Sequence, residues 1–215
     1  MNSESKKVRK ASYPWRHQLL KGMGFTRPGL EVIVQVVTGA AMEERQMQET
    51  AQEYTQRLLS YGEGKEPLRL QQAAPKKLAA LIKGKNSKQL MKRPAPDKWS
   101  VAEIAAHLAD AELAISWRLR QILANNAIPI QAYDQDAWAR TFNYARRDPR
   151  ESLVNYRTLR EANVALLKSV PRKLWDNYGI HQERGNESVS HVVKMVAGHD
   201  LNHLQQIAKI LKPKR

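Results

Sequence analysis

The chain of 215 residues contains no cysteine. That absence excludes a disulfide framework, a metal site built on thiolates and a cysteine nucleophile. Aromatic residues make up only 7% of the chain, and no apolar run reaches the roughly 18 residues of a membrane-spanning helix. Ten glycines and ten prolines are too few for a collagen-like or low-complexity protein. The apolar fraction of 42% is enough for a buried core, so we expect a globular protein.

A secretion signal is also poorly supported by the sequence. Leu30–Met42 is the segment most similar to the apolar core of a signal peptide, and basic residues precede it. Glu31 and Gln35 interrupt the segment, and no strong cleavage pattern follows it. We therefore predict a cytoplasmic location and no membrane partner.

The formal net charge of +15 raises the question of a nucleic-acid partner. Residues 1–41 hold seven basic against two acidic residues, and the remainder holds 29 against 19, so the charge is spread along the chain. The basic cluster from Lys83 to Arg93 has none of the interleaved aromatic residues on which nucleic-acid bases stack. We favour solvent-exposed helix faces and predict no specific nucleic acid. A basic nucleic-acid or stress-associated binding protein stays as an alternative function.

The pattern of apolar residues predicts an all-α protein. Residues 1–41 show no sustained helical period, so we expect an extension outside the folded domain, which spans residues 42–215. The predicted helices are Met42–Ser60, Pro67–Lys83, a long helix from the capping box at Ser100 to Ala124, Arg150–Ser169 and Ser188–Leu211. Asn125–Asp148 reads as an irregular connection, and strand signals are nearly absent. This spacing favours an antiparallel bundle, an architecture whose interior commonly holds metals.

Three histidines are the candidate metal ligands. His199 and His203 lie four residues apart and share one face of the last helix. His107 flanks the apolar stripe of the helix that follows the capping box, and Ala111 and Ala114 beside it leave room for an ion, a water or a substrate. Three imidazoles from two helices would form a site with open positions, as in catalytic metal sites. The sequence His-Asp-Leu-Asn-His lacks the glutamate of the zinc-protease motif.

Two acidic residues fall on the inward faces of the same helices. Asp200 could orient a ligand imidazole by a hydrogen bond, or it could form a structural ion pair with Arg157 or Arg160 on the predicted Arg150–Ser169 helix. Glu112 is a weaker candidate for a role beside the metal or in catalysis. No further catalytic residue can be assigned from the sequence.

Four residues are candidates for substrate binding. Trp99, Tyr133 and Trp138 could form the wall of a pocket, although aromatic residues near the end of a bundle commonly serve packing. Arg118 lies three turns from His107 on the same side of its helix. It could hold an anionic group of a substrate, or it could be a surface charge.

The segments Pro94–Glu112 and Gly198–Ile207 resemble the DinB-like family, small helical bundles named after a damage-inducible bacterial protein. The resemblance extends from about residue 49 to residue 211. It implies a four-helix bundle in up-down-down-up order with an extra N-terminal helix or extension, in which Asn125–Asp148 is the long crossover. It also implies a divalent metal, nickel or zinc or similar, on three histidines. In this chain those positions are His107, His199 and His203.

The resemblance also implies a range of chemistry. Members of the family include thiol S-transferases, a thiol-dependent maleylpyruvate isomerase and hydrolases. We predict a metal-dependent transferase or hydrolase in which a metal-activated thiol or water attacks a small-molecule substrate, with a low-molecular-weight thiol as the co-substrate in the first case. Alternatively the ion is structural, or the protein is a dimerising scaffold. Three evident ligands rather than four argue against a closed structural zinc site. A homodimer fits either interpretation.

Overall fold

The computed structural model describes residues 49–212. The predicted extension, residues 1–41, lies outside the described residues, as do residues 42–48. The boundary at residue 42 therefore stays a prediction. The predicted Met42–Ser60 helix is wrong in its start: a helix begins at Ala51, because Thr50 is an extended N-cap whose side chain forms a capping box with Glu53. The description that follows concerns the unit that begins at Thr50.

Seven α-helices and three short strands form the described part of the chain. The helices are α1 (Ala51–Tyr61), α2 (Pro67–Ile82), α3 (Ser87–Met91), α4 (Val101–Ala124), α5 (Gln135–Thr141), α6 (Pro149–Ser169) and α7 (Val189–Leu211), and the strands are β1 (Ile128–Ile130), β2 (Tyr178–His181) and β3 (Gly185–Ser188). The predicted all-α bundle is confirmed, with α2, α4, α6 and α7 as its long helices. Within residues 49–212, no helix combines the length and apolarity needed to cross a membrane.

Side-chain caps fix where the two histidine-bearing helices begin. At α4, the Ser100 hydroxyl accepts a hydrogen bond from the Glu103 N–H at 3.2 Å, and the Glu103 carboxylate accepts one from the Ser100 N–H at 2.8 Å. This reciprocal pair is the predicted capping box. At α7, the Ser188 hydroxyl accepts from the His191 N–H at 3.1 Å. Because both starting points are fixed, so is the height of each histidine along its helix.

Two apolar clusters fill the interior and set the directions of the long helices. The first joins the C-terminal halves of α2 and α7 to the N-terminal halves of α4 and α6, and its buried members include Leu78, Ile104, Tyr156 and Ile207. The second joins the opposite halves, with Leu119, Leu167 and Val192 among its members and Leu68 packed against it. Thus α4 and α6 run in one direction and α2 and α7 in the other, which is an up-down-down-up order.

A small sheet lies in segments where we expected no strand. Strand β1 pairs in parallel with β2, and β2 pairs antiparallel with β3. The Asn125–Asp148 connection, expected to be irregular, contains β1 and α5. Each strand has only three or four residues, too few for a clear alternation of apolar and polar positions. The sheet matters for function because its hairpin carries side chains to the site described below.

Helices α1 and α7 make a close backbone contact beside the histidine pair. A Cβ atom added to Gly198 would lie 1.8 Å from the carbonyl oxygen of Leu58 and 2.6 Å from its carbonyl carbon. Only glycine allows this approach, because any larger residue would have to move the α1 backbone. Gly198 immediately precedes His199, so the contact also positions the metal-site helix.

Gly198→Ala is therefore expected to lower the free energy of unfolding by about 1–3 kcal/mol, the range for overpacked interiors. Urea unfolding followed by circular dichroism would measure the loss. Gly62→Ala is the matched control, because a Cβ there meets its nearest atoms at 3.8 and 3.9 Å, and its effect should stay within about 0.5 kcal/mol. Equal effects of the two substitutions would contradict the proposed contact.

Candidate metal centre

The three predicted histidines converge between α4 and α7. One ligand nitrogen from each of His107, His199 and His203 lies within 4.8 Å of the others. The Nε2 atoms of His107 and His199 are 3.0 Å apart, and the ring centroids of His199 and His203 are 4.5 Å apart. His107 and His203 are 2% and 7% exposed, and His199 is half-buried. The cluster predicted from the sequence is thus present as a compact group.

The electrostatics of the cluster suit a divalent cation. Burial, and then the neighbouring His203, hold the pKa of His107 and of His199 well below the ordinary value. Burial, with a contribution from Arg57, lowers the pKa of His203 to about 4. Neutral imidazoles present nitrogen lone pairs, and a bound ion offsets the cost of burying them. Three nitrogen donors fit zinc, nickel or a similar ion and leave coordination positions open.

The metal-free protein is expected to lose stability on acidification through these histidines. Their pKa values are lowered in the folded state, so their contribution is present above the unfolded value of about 6.5. It is lost as the pH falls towards the folded values, about 4 for His203. Each histidine adds a slope of up to about 1.4 kcal/mol per pH unit. Urea unfolding of chelator-treated protein between pH 7 and 4 measures it, and His203→Gln should flatten the dependence. An unchanged slope in that variant would refute the assignment.

Gln206 orients one of the three imidazoles. The Nδ1–H of His203 donates a hydrogen bond to the Gln206 Oε1 at 3.0 Å. A proton on Nδ1 leaves the Nε2 lone pair free for a metal. Sequence analysis missed this residue, although its position three residues after His203 on the same helix face was a usable signal.

Gln206→Leu is expected to weaken metal binding about 10- to 100-fold, because the imidazole loses the partner that fixes its tautomer and orientation. Titration against a competing chelator would measure the affinity. Gln205→Leu is the matched control, since Gln205 is exposed on the same helix and should bind metal as the wild type does. Wild-type affinity in Gln206→Leu would show that the hydrogen bond does not serve the site.

Both candidate acids belong to a buried network centred on Arg160. The guanidinium of Arg160 donates to both carboxylate oxygens of Asp200 and, from Nη2, to Glu112 at 2.6 Å. The Tyr156 hydroxyl donates to Asp200 at 2.7 Å, and the Asn163 amide donates to Glu112 at 2.7 Å. Of the two partners considered for Asp200, the structure selects Arg160. Within residues 49–212, no hydrogen bond joins Asp200 to an imidazole, so a role beside the metal stays a prediction.

A cavity of about 170 Å³ adjoins the cluster, and His107 and His199 form part of its wall. Of the two alanines expected to leave room beside His107, Ala111 lines the cavity, whereas Ala114 is not among its lining residues. Arg118 and Tyr133, two of the predicted substrate-binding residues, line the same cavity. Arg118 is only 6% exposed, so its interpretation as a surface charge is wrong.

The two candidate tryptophans lie behind the cavity wall rather than in it. The Trp99 ring packs on His107 with centroids 5.1 Å apart. Trp138 stacks on Tyr133 at 4.3 Å with an angle of 27° between the rings. Neither is among the residues that line the cavity. They support His107 and Tyr133, respectively.

The β2–β3 hairpin contributes residues that sequence analysis missed. His181 and Arg184 line the cavity, and His181 is buried. The His181 Nδ1 accepts a hydrogen bond from the Glu183 N–H at 3.2 Å. Burial, followed by the charge of Arg184, lowers the pKa of His181. Residues in a short hairpin share no helical face, so spacing gave no signal for them.

Comparisons with known proteins identify relatives of the chain. Two proteins of Oceanobacillus iheyensis, both named "Putative metal-dependent hydrolase", are each 26% identical to the chain. The first aligns over 132 residues, 61% of this chain and 75% of the relative. The second aligns over 141 residues, 65% of this chain and 81% of the relative.

A solved structure shows the same fold. YfiT from Bacillus subtilis, described as a probable metal-dependent hydrolase with an unusual four-helix bundle topology, superposes with a TM-score of 0.64 at 21% identity. The match covers 67% of this chain and 83% of YfiT. The model of the DinB superfamily matches residues 70–207, well over half of the sequence. The chain belongs to the DinB superfamily.

Proposed function

We propose that the protein is a metal-dependent hydrolase that acts on a small molecule bound in the cavity beside His107 and His199. The observation that carries the proposal is the convergence of three largely buried imidazoles, two of which, His107 and His199, line that cavity. The names of the two Oceanobacillus relatives support hydrolysis as the reaction class. Three ligands from the protein would leave positions for water and substrate.

The ion would be held by His107, His199 and His203, and when bound it would supply Lewis acidity and lower the pKa of a coordinated water. The chain prepares the site through Gln206, which holds the His203 ring so that Nε2 is available. The Arg160 network combines one cation with two carboxylates, so it carries a formal charge of about −1, and its three charged residues line the same cavity.

A thiol in place of water is the second candidate, since a coordinated thiol is also deprotonated. It would give S-transferase chemistry with a low-molecular-weight thiol as co-substrate. The relatives' names favour water. A cavity beside the ligands favours a small-molecule partner over nucleic acid. It also favours an ion that takes part in the reaction over an ion that only stabilises the fold. The cytoplasmic location and the homodimer stay predictions.

The test starts from full-length, tag-free protein stripped of metal and reloaded separately with zinc and nickel. A panel of chromogenic esters and amides is then assayed with and without a small thiol. The proposal expects hydrolysis that requires metal and is lost in His107→Ala. Turnover only with thiol, with the acyl group recovered as a thioester of that thiol and the chromogenic alcohol or amine released, would instead establish the transferase. A reloaded protein no more active than the stripped one across the panel would refute both.

A further inference from the structure

Arg118 is a buried cation with almost no partner. Its side chain lies in α4 and is 6% exposed. Among residues 49–212 its one hydrogen bond runs from Nη2 to the carbonyl oxygen of Gln131 at 3.5 Å, and no carboxylate forms an ion pair with it. Burial lowers the pKa of Arg118, yet a guanidinium remains charged at neutral pH. Burying a charge without a partner is costly, so an anion that binds there gains more than it would at a surface arginine.

The acid whose charge acts most strongly on Arg118 already forms an ion pair with another residue. Glu187 accepts hydrogen bonds from Arg184 Nε at 2.6 Å and from Arg184 Nη2 at 3.1 Å. The side chains of Arg118, Arg184 and Glu187 together carry a formal charge of about +1. Glu183 lines the cavity, but it is exposed to solvent, so water screens its charge. Arg118 is therefore not neutralised by its surroundings.

His181 adds a neutral donor to the same wall. Its Nδ1 accepts the hydrogen bond from the Glu183 backbone, so the proton of the neutral ring is on Nε2. No residue in the described part of the chain accepts from that Nε2–H. A guanidinium and an imidazole N–H on one cavity wall match the two oxygens of a carboxylate.

The cavity is thus polarised along its length. His107 and Arg118 lie eleven positions apart on α4, about 16 Å along the helix axis. Because α-helical side chains lean towards the N-terminus, the Arg118 head group comes back towards His107. The Arg160 network beside His199 has a formal charge of about −1, whereas the Arg118 region has about +1. Apolar side chains also line the cavity, namely Leu108, Ala111, Ile115, Met195 and Val196. At about 170 Å³, the cavity is of the size that holds a benzene-sized molecule.

We propose that Arg118 and His181 form a carboxylate-binding subsite, and that the substrate is a small acid with an apolar body and one carboxylate. Arg118 binds the carboxylate, and the apolar wall directs the other end of the molecule towards the three histidines. The statement that this molecule is the substrate rests on the proposed function. Binding of the carboxylate itself does not, because it requires no metal.

Benzoate is the probe and benzamide is its neutral counterpart of the same size. Calorimetric titration uses the full-length protein, as purified and after metal removal, so that direct binding of benzoate to a metal is recognised. We expect a benzoate dissociation constant of about 10 mM or tighter in both preparations and much weaker binding of benzamide. Arg118→Met should weaken benzoate binding about 10- to 100-fold. Arg157→Met, which removes an exposed arginine of α6, should leave it unchanged.

Two further readouts separate this role from a structural one. Arg118→Met removes a buried charge without a strong partner, so its melting temperature should equal or exceed that of the wild type, and its metal content should be unchanged. Benzoate and benzamide binding equally, or wild-type benzoate affinity in Arg118→Met, would overturn the subsite. A lower melting temperature in Arg118→Met would assign the arginine to the fold. The metal content tests the proposed function independently of benzoate binding, so failure of the carboxylate subsite and failure of the proposed function can be distinguished.

Discussion

Replacing any one of His107, His199 and His203 with alanine is expected to remove most of the bound metal, from about one ion per chain to a small fraction of that. The three ligand nitrogens already lie within 4.8 Å of one another, so bringing them together for the metal costs little free energy. Two imidazoles hold a divalent ion far more weakly than three. Elemental analysis of tag-free protein after extensive dialysis measures the change.

His191→Ala is the matched control for these variants. His191 lies on α7 like two of the ligands, but it is outside the cluster, so its substitution should leave the metal content unchanged. The thermal stability of the ligand variants shows whether the ion serves chemistry or the fold. A small change is expected if the ion serves chemistry, whereas a drop of many degrees would support a structural ion. Full occupancy in His107→Ala would contradict the three-histidine centre.

The features that follow from helical periodicity and helix capping were predictable from the sequence. The capping box at Ser100 placed the start of α4, and the i, i+4 spacing of His199 and His203 placed both rings on one face. With the family resemblance, these features were sufficient to predict a group that includes His107. The signals work because helical geometry ties position in sequence to position on a face.

The part of the cavity wall that the β2–β3 hairpin forms was not predictable in this way. His181 and Arg184 reach it from a hairpin whose strands have four residues each, and nothing local indicates which helix such a hairpin covers. A similar limit applies to Arg118, for which a surface charge was one of two interpretations. Its place on α4 was known from the sequence, but its burial depends on contacts with other segments, such as the one that holds Gln131, and single-sequence patterns contain no information on those contacts.

Arg160→Met is expected to lower the free energy of unfolding by about 3–5 kcal/mol, the range for a buried ion pair that loses one partner. Arg160 is 2% exposed and contacts two carboxylates, Asp200 and Glu112, that are each 2% exposed at the side chain. Without the guanidinium, both are left buried with uncompensated charge. Urea unfolding of metal-free protein measures the loss, and Arg157→Met, at an exposed position of the same helix, should cost less than about 0.5 kcal/mol.

The cause of that loss can be tested within the same network. Burial already raises the pKa of Asp200 even though Arg160 opposes the shift, so without the arginine the folded state should bind protons more readily still. A folded-state pKa above the unfolded one means that stability falls as the pH rises, so the deficit of Arg160→Met should shrink between pH 7 and 5. Adding Glu112→Gln and Asp200→Asn should restore part of the stability at pH 7, because neutral amides need no counter-charge. If neither the lower pH nor the two amide substitutions reduce the stability deficit of Arg160→Met, the loss comes from the packing of the arginine side chain and not from its charge.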